Sequence, residues 1–138
     1  MQARDIVEKA LELLLAKDMA GFAGLWASDG VLEFPFTPAG YPARLTGREA
    51  VRDYLRDYPD HVDIRAVTEK TLHETTDPDV VVAEFAVDGV AVRTRRPYQL
   101  RYVAVVTVRD GEIRLYRDYW NPVAAAEALG GTGFASNG

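Results

Sequence analysis

The chain contains no cysteine. That excludes a disulfide framework and every form of thiolate chemistry, and it fits a reducing compartment. Histidine is almost as scarce, with only His61 and His73. Neither has a partner at ligand spacing, and both sit where a surface position is expected, so no metal site is predicted. Positive charge is the rarer sign. Sixteen Lys and Arg against 21 Asp and Glu leave a net charge of −5, which argues against a nucleic-acid partner. The one basic cluster, Arg93, Arg95 and Arg96, adjoins Pro97. It reads as a solvated loop or hairpin tip, with phosphate binding as the alternative. Long apolar runs are missing too. No uncharged run approaches about 18 residues, so no membrane-spanning helix is expected. The first residues include Asp5 and Glu8 and lack a basic segment before an apolar core, so they do not read as a signal peptide. These absences predict a cytoplasmic protein. No glycine-rich loop precedes a helix, so no nucleotide site is implied. Ser28 has no neighbouring base and reads as a turn residue. No cofactor is required by anything in the sequence.

What is present suffices for one packed domain. The 138 residues are 48% hydrophobic and 27% charged, as in ordinary globular proteins. A single domain is expected over residues 1–131, with 132–138 as a mobile tail. Ile6, Val7, Ala10, Leu11 and Leu14 form a helical stripe. Asp18 caps a second helix with Met19, Phe22, Ala23 and Trp26 inward. A strand follows over 31–36, then a Pro/Gly-rich loop. Thr46-Gly47-Arg48-Glu49 has the form of a capping box. The helix it opens carries Val51, Tyr54, Leu55 and Tyr58 on one side. Four β-rich runs follow, over 62–74, 80–92, 98–108 and 113–120. Asn121 and Pro122 restart a helix as cap and first residue, and Gly130-Gly131 ends it. Three helices followed by an antiparallel meander indicate α+β, with helices on one face of a bent sheet that encloses a cone-shaped pocket.

The most informative segment is Tyr116-Arg117-Asp118-Tyr119-Trp120-Asn121-Pro122. Asp110-Gly111, between two β-rich runs, signals a tight hairpin. Alternation puts Tyr116, Asp118 and Trp120 on one face. A carboxylate between two aromatics on an inward face is either paired or chemically useful. With a two-residue turn and no bulge, that face also carries Val103 and Val105, with Arg101 and Gln99 toward its far end. Two effects then compete at Asp118. Apolar walls raise its pKa and suit it to acid/base work, whereas Arg101 lowers it and makes it a fixed anion or half of an ion pair. The sequence leaves both open. Glu33 is either a second pocket acid or a sheet-edge residue. Phe22, Trp26, Phe34, Phe36, Tyr54 and Tyr58 either line the pocket or fill the core. The opposite face, with Tyr102, Ala104, Val106, Val108, Ile113, Leu115 and Tyr119, is apolar enough to predict burial against a second copy in a homodimer.

Four stretches carry a family resemblance. They are Leu25-Trp26-Ala27-Ser28-Asp29-Gly30, Glu33-Phe34-Pro35, Leu45-Thr46-Gly47-Arg48-Glu49-Ala50 and Tyr116-Arg117-Asp118-Tyr119-Trp120-Asn121. Together they resemble the SnoaL-like and ketosteroid-isomerase-like superfamily over roughly residues 4–129. The resemblance implies a cystatin-like α+β barrel, with three N-terminal helices on a strongly curved antiparallel or mixed sheet. It implies activity only loosely, because one such fold hosts many functions. The steroid-isomerase base would fall at Phe34, its oxyanion tyrosine near Ala10 and its protonated aspartate near Ala104. None of these can move a proton, so that route is not expected. The limonene-type epoxide hydrolases share the acid at Asp118. Their second acid would fall at Asp88 or Glu84, and their arginine near Ala86. PhzA/PhzB proteins pair the final-strand acid with a histidine where this chain has Tyr54.

The resulting expectation is a SnoaL-like enzyme acting on a small hydrophobic molecule. Asp118 transfers a proton in a cyclisation, isomerisation or epoxide opening. Tyr116 and Trp120 hold the substrate, and Arg101, Gln99 or Tyr54 stabilise developing negative charge. The alternative is a non-catalytic module of the same fold that binds a small molecule or a protein.

Overall fold

A computed structural model of the chain describes residues 2–130. The expected tail, 132–138, lies outside the described residues. Helix α1 spans Ala3–Leu15 and α2 spans Met19–Ala23. Strand β1 follows at Trp26–Glu33 and β2 at Arg44–Thr46. Helices α3, Arg48–Leu55, and α4, Tyr58–His61, come next. Strands β3 to β6 run Val62–Glu74, Val80–Ala91, Pro97–Arg109 and Glu112–Trp120. Helix α5, Pro122–Ala128, closes the described chain.

The six strands form one mixed sheet in the order β2-β1-β6-β5-β4-β3. Every pairing is antiparallel except β1 with β6, which is parallel. The helices cover the concave face. Ile6, Val7, Ala10 and Leu11 of α1 bury against Val81, Ala83, Val106 and Val108 in one core cluster. Bulges bend the sheet, two of them in the β3–β4 pairing. Gly89 sits at the first bend, opposite Ile64. A Cβ there would stand 2.1 Å from the Asp63 carbonyl oxygen, so only glycine fits.

Local chemistry accounts for the helix ends. The Asp18 carboxylate accepts the Gly21 amide at 2.8 Å, and the Asn121 side chain accepts those of Val123 and Ala124, as N-caps do. Thr46 does not cap α3. It ends β2, and Gly47 takes the cap position at φ 97°, a backbone state that glycine enters without a Cβ penalty. The basic segment between β4 and β5 is structural. Arg93, Thr94 and Arg96 donate to the carbonyls of Leu129, Ala128 and Glu127, satisfying the C-terminal end of α5 where cations are favoured. Among the described residues, no helix is long and apolar enough to cross a membrane.

One feature of the β5–β6 hairpin sets the pocket. Its turn matches the sequence expectation: Asp110 and Gly111 have φ of 54° and 76°, and Arg109 pairs with Glu112, which fits a primed two-residue turn. Beyond Val108 and Ile113 the register slips, so that Thr107 pairs with Leu115 and Arg114 is the extra residue. Such a bulge moves every later partner by one. Asp118 therefore faces Ala104, Tyr116 faces Val106, and Trp120 faces Tyr102.

This corrects the expected faces. Val103, Val105, Arg101 and Gln99 are on the convex side. Arg101 pairs with Glu69 and is 74% exposed at its side chain, and Gln99 donates to Asp88. Tyr102, Ala104, Val106, Val108 and Ile113, expected outside, face the core; the last four are buried outright. Leu115 and Tyr119 remain outside. Arg101 is thus removed from Asp118, and of the two alternatives the sequence leaves open, the ion pair between them does not form.

Candidate active site

Helices α1, α2, α3 and α4 and strands β1, β4, β5 and β6 enclose a cavity on the concave side. Asp118 lies in its wall, flanked along β6 by Tyr116 and Trp120. The helical stripe of α3 delivers Tyr54 and Leu55, and α4 adds Tyr58. From β1 comes Leu32, from the residue just past its end Phe34, from α1 Leu14, and from α2 Met19 and Phe22. The alternation of β5 and β4 adds Tyr98, Tyr102 and Phe85. The space open to centres of water-sized spheres is about 70 Å3. At roughly 10–15 Å3 for each water, that admits a handful of waters or one compact molecule.

Seven of the expected pocket residues meet here: Phe22, Phe34, Tyr54, Tyr58, Tyr116, Asp118 and Trp120. Trp26 does not reach the cavity. It is fully buried behind it and stacks on Tyr116 at 5.4 Å between ring centroids. Phe36 is 58% exposed and touches Tyr119 edge-on on the other side of the sheet. Its strand ends at Glu33, before the alternation could carry Phe36 inward. Glu33 faces outward as well, 3.5 Å from Arg117. The residues that sequence reasoning missed are Leu14, Met19, Leu32, Leu55, Phe85, Tyr98 and Tyr102. The last three sites on the sheet follow from the true register and needed only the bulge to be found.

Asp118 dominates the electrostatics. As a residue it keeps partial exposure, but its Oδ1 is sealed from solvent and has no hydrogen-bond partner among the described residues. Among the described residues, no lysine, arginine or histidine lines the cavity. Burial without a cation disfavours the carboxylate and pushes its pKa from 3.8 up to about 7. With Arg101 paired to Glu69 on the convex side, desolvation is the influence that acts on Asp118.

Five tyrosines surround this carboxyl. Burial raises the phenol pKa of each, and the Asp118 charge adds to the rise in Tyr54, Tyr58, Tyr98, Tyr102 and Tyr116. Tyr54 and Tyr98 reach about 12. All five stay neutral at ordinary pH. The hydroxyls of Tyr98 and Tyr102 lie 2.8 Å apart, and that of Tyr58 hydrogen-bonds with both. The ring of Tyr102 stacks on Phe85 at 5.1 Å. The site therefore offers one acid that ionises near neutral pH and a cluster of phenol donors. Among the described residues, no group of His, Cys, Asp and Glu is placed to hold a metal ion.

A helix-backed, strongly bent mixed sheet around such a cavity is the cystatin-like, nuclear-transport-factor-2-like α+β barrel. Within that class, residues 7–116 match the SnoaL-like domain, and the chain belongs to that family. It is 40% identical over 131 residues to the protein YesE of Bacillus subtilis, spanning 95% of this chain and 89% of that one. A PhzA/B-like protein of Pseudomonas aeruginosa is 42% identical over 131 residues, spanning 95% and 92%. A crystal structure of a Bacillus subtilis protein provisionally described as an isomerase superposes with a TM-score of 0.91 at 40% identity, over 95% of this chain and 94% of that one.

Proposed function

We propose that this protein is a SnoaL-like enzyme that moves a proton on a compact, largely apolar molecule, with Asp118 as the acid/base group. The observation that carries this reading is the Asp118 Oδ1, sealed from solvent with no hydrogen-bond partner among the described residues, in a carboxyl whose pKa burial pushes up to about 7. A group poised there is populated in both forms at neutral pH, which is where acid/base catalysis is most effective. Tyr116 and Trp120 flank the reacting region and hold the substrate by stacking and apolar contact. Tyr54, in the cavity wall, is the phenol that supports developing negative charge, a role the sequence offers to Arg101, Gln99 or Tyr54. Of those three only Tyr54 reaches the cavity. Isomerisation and cyclisation need no more than this. The epoxide-opening route of the limonene type lacks its other members here. Asp88 and Glu84 lie on the convex side of β4, and Ala86 occupies the arginine position.

The test is proton exchange. A panel of small ketones, imines and phenols is incubated with the protein in deuterated buffer, and deuterium incorporation at carbon is followed by NMR. Exchange is expected for at least one compound and is lost in Asp118→Asn. Binding of that compound without exchange, unchanged by the substitution, would instead make the protein a small-molecule carrier of the same fold.

A further inference from the structure

The cavity is one-sided in charge. Of its fourteen lining residues nine are aromatic, and Asp118 is the only one whose side chain ionises in the neutral range. There is no cation in the wall to receive a carboxylate or phosphate, and Asp118 would repel one. Anionic substrates are thereby excluded. A neutral apolar molecule can enter, but it leaves Oδ1 as it stands, buried and without a partner among the described residues. A cation behaves differently. It supplies the missing counter-charge, and aromatic rings attract it through their negative faces, as in cages for alkylammonium groups. The phenol hydroxyls do not oppose this. Those of Tyr58, Tyr98 and Tyr102 are engaged with one another. The net charge of −5 favours the approach of a cation as well.

We propose that the substrate of this pocket is a compact organic cation, an alkylammonium or iminium group, seated among the aromatic side chains against the Asp118 carboxylate. The inference rests on the reading that Asp118 faces the substrate, and it narrows that reading from a small apolar molecule to a positively charged one. The cavity limits size. A cationic head of a few carbons fits the available space.

The sign of the pH dependence follows. A bound cation favours ionised Asp118, so binding expels a proton from the half-protonated free site. Affinity for the cation then rises with pH through about 7 and levels off above it. The groups facing Asp118 from α3, α4, β5 and β6 are Tyr54, Tyr58, Tyr98, Tyr102 and Tyr116, all held neutral over that range. They contribute no competing titration.

The experiment compares choline with 3,3-dimethylbutan-1-ol, its uncharged carbon isostere, by calorimetry at pH 5.5 and pH 8. In the wild-type chain choline is expected to bind about tenfold or more tightly than the isostere at pH 8, with the preference shrinking at pH 5.5. In Asp118→Asn the preference at pH 8 is expected to fall to about that of the wild-type chain at pH 5.5 or below. Equal or tighter binding of the isostere at pH 8, or no saturable binding of choline, overturns the inference. The charge comparison is made in the wild-type chain, so it does not depend on the variant folding. It is also independent of deuterium exchange: a pocket that prefers the neutral isostere yet still exchanges protons would refute the cation and leave the acid/base reading standing.

Discussion

Replacing Asp118 by asparagine should stabilise this protein, and only above a certain pH. The side chain keeps its shape and loses its charge. In the folded chain the Asp118 carboxyl titrates at about 7, against 3.8 for an ordinary aspartate. At about 1.4 kcal/mol for each pH unit, that difference is worth roughly 4 kcal/mol. Below about pH 4 the carboxyl is protonated in both states and costs nothing. Between 4 and 7 the folded chain holds a proton that the unfolded chain has released, so stability falls as pH rises. Above 7 both states are ionised, and the folded state bears the whole cost of a buried charge. Asp118→Asn removes that cost. In thermal unfolding the two proteins should therefore differ by only about 1 kcal/mol near pH 4.5 and separate further as pH rises. By pH 8 the variant should be the more stable by up to about 4 kcal/mol, a shift on the order of 10 °C for a chain of this size. The same substitution should abolish proton exchange, so stability and activity move in opposite directions. A stability difference that does not change between pH 4.5 and 8, or a variant less stable at pH 8, would refute the buried, unpaired carboxylate on which the argument stands.

Other substitutions test the surroundings. Tyr98→Phe and Tyr102→Phe each strand a buried hydroxyl partner and should cost roughly 1–2 kcal/mol; in denaturant titrations the double variant should cost less than the two together, and strict additivity would deny the hydrogen bond. Arg101→Ala should leave ligand affinity unchanged and stability within about 0.5 kcal/mol, because the Arg101–Glu69 pair is exposed on the convex face. A tenfold loss of affinity there would return Arg101 to the pocket and contradict the register. Gly89→Ala drives a Cβ against the Asp63 carbonyl and should destabilise by roughly 2–3 kcal/mol; an unchanged melting temperature would show that the sheet bends elsewhere.

Much of the architecture was legible because local signals agreed with one another. The strand over 62–74 was delimited correctly by β-branched content and flanking turn residues, and the α5 start by Asn121 and Pro122. Where signals were mixed, the boundaries moved. The spacing from Phe22 places Trp26 in the second helix, but it opens β1 instead. It follows Gly24 and Leu25, and its strand pairs with Ile113 at a place where four residues of β1 bulge away from β6. Thr46 looked like a cap because Glu49 follows it three residues later. Its pairing with Val31 claimed it for the sheet, and tertiary structure overrode the local motif.

The site was legible along β6 and illegible across the hairpin, for a specific reason. On β6 the alternation is chemically marked, since Tyr116, Asp118 and Trp120 differ sharply from Leu115, Arg117 and Tyr119. Once one face was assigned inward, the carboxyl followed. On β5 the run Val103-Ala104-Val105-Val106-Thr107-Val108 is apolar on both faces, so its period carries no direction. The choice between odd and even residues was left to the register, and the register turned on one unpaired residue, Arg114, which no turn signal announces. That slip replaces Val103, Val105 and an arginine by Ala104, Val106 and two tyrosines as the neighbours of Asp118. It exchanges an ion pair for a hydroxyl cluster. With Arg101 inside, Asp118 would be a settled anion with a low pKa; with Arg101 outside, it is a carboxyl in need of a proton or a cationic ligand. The chemistry of this pocket is therefore set less by which residues the chain contains than by a single bulge that decides which of them face inward.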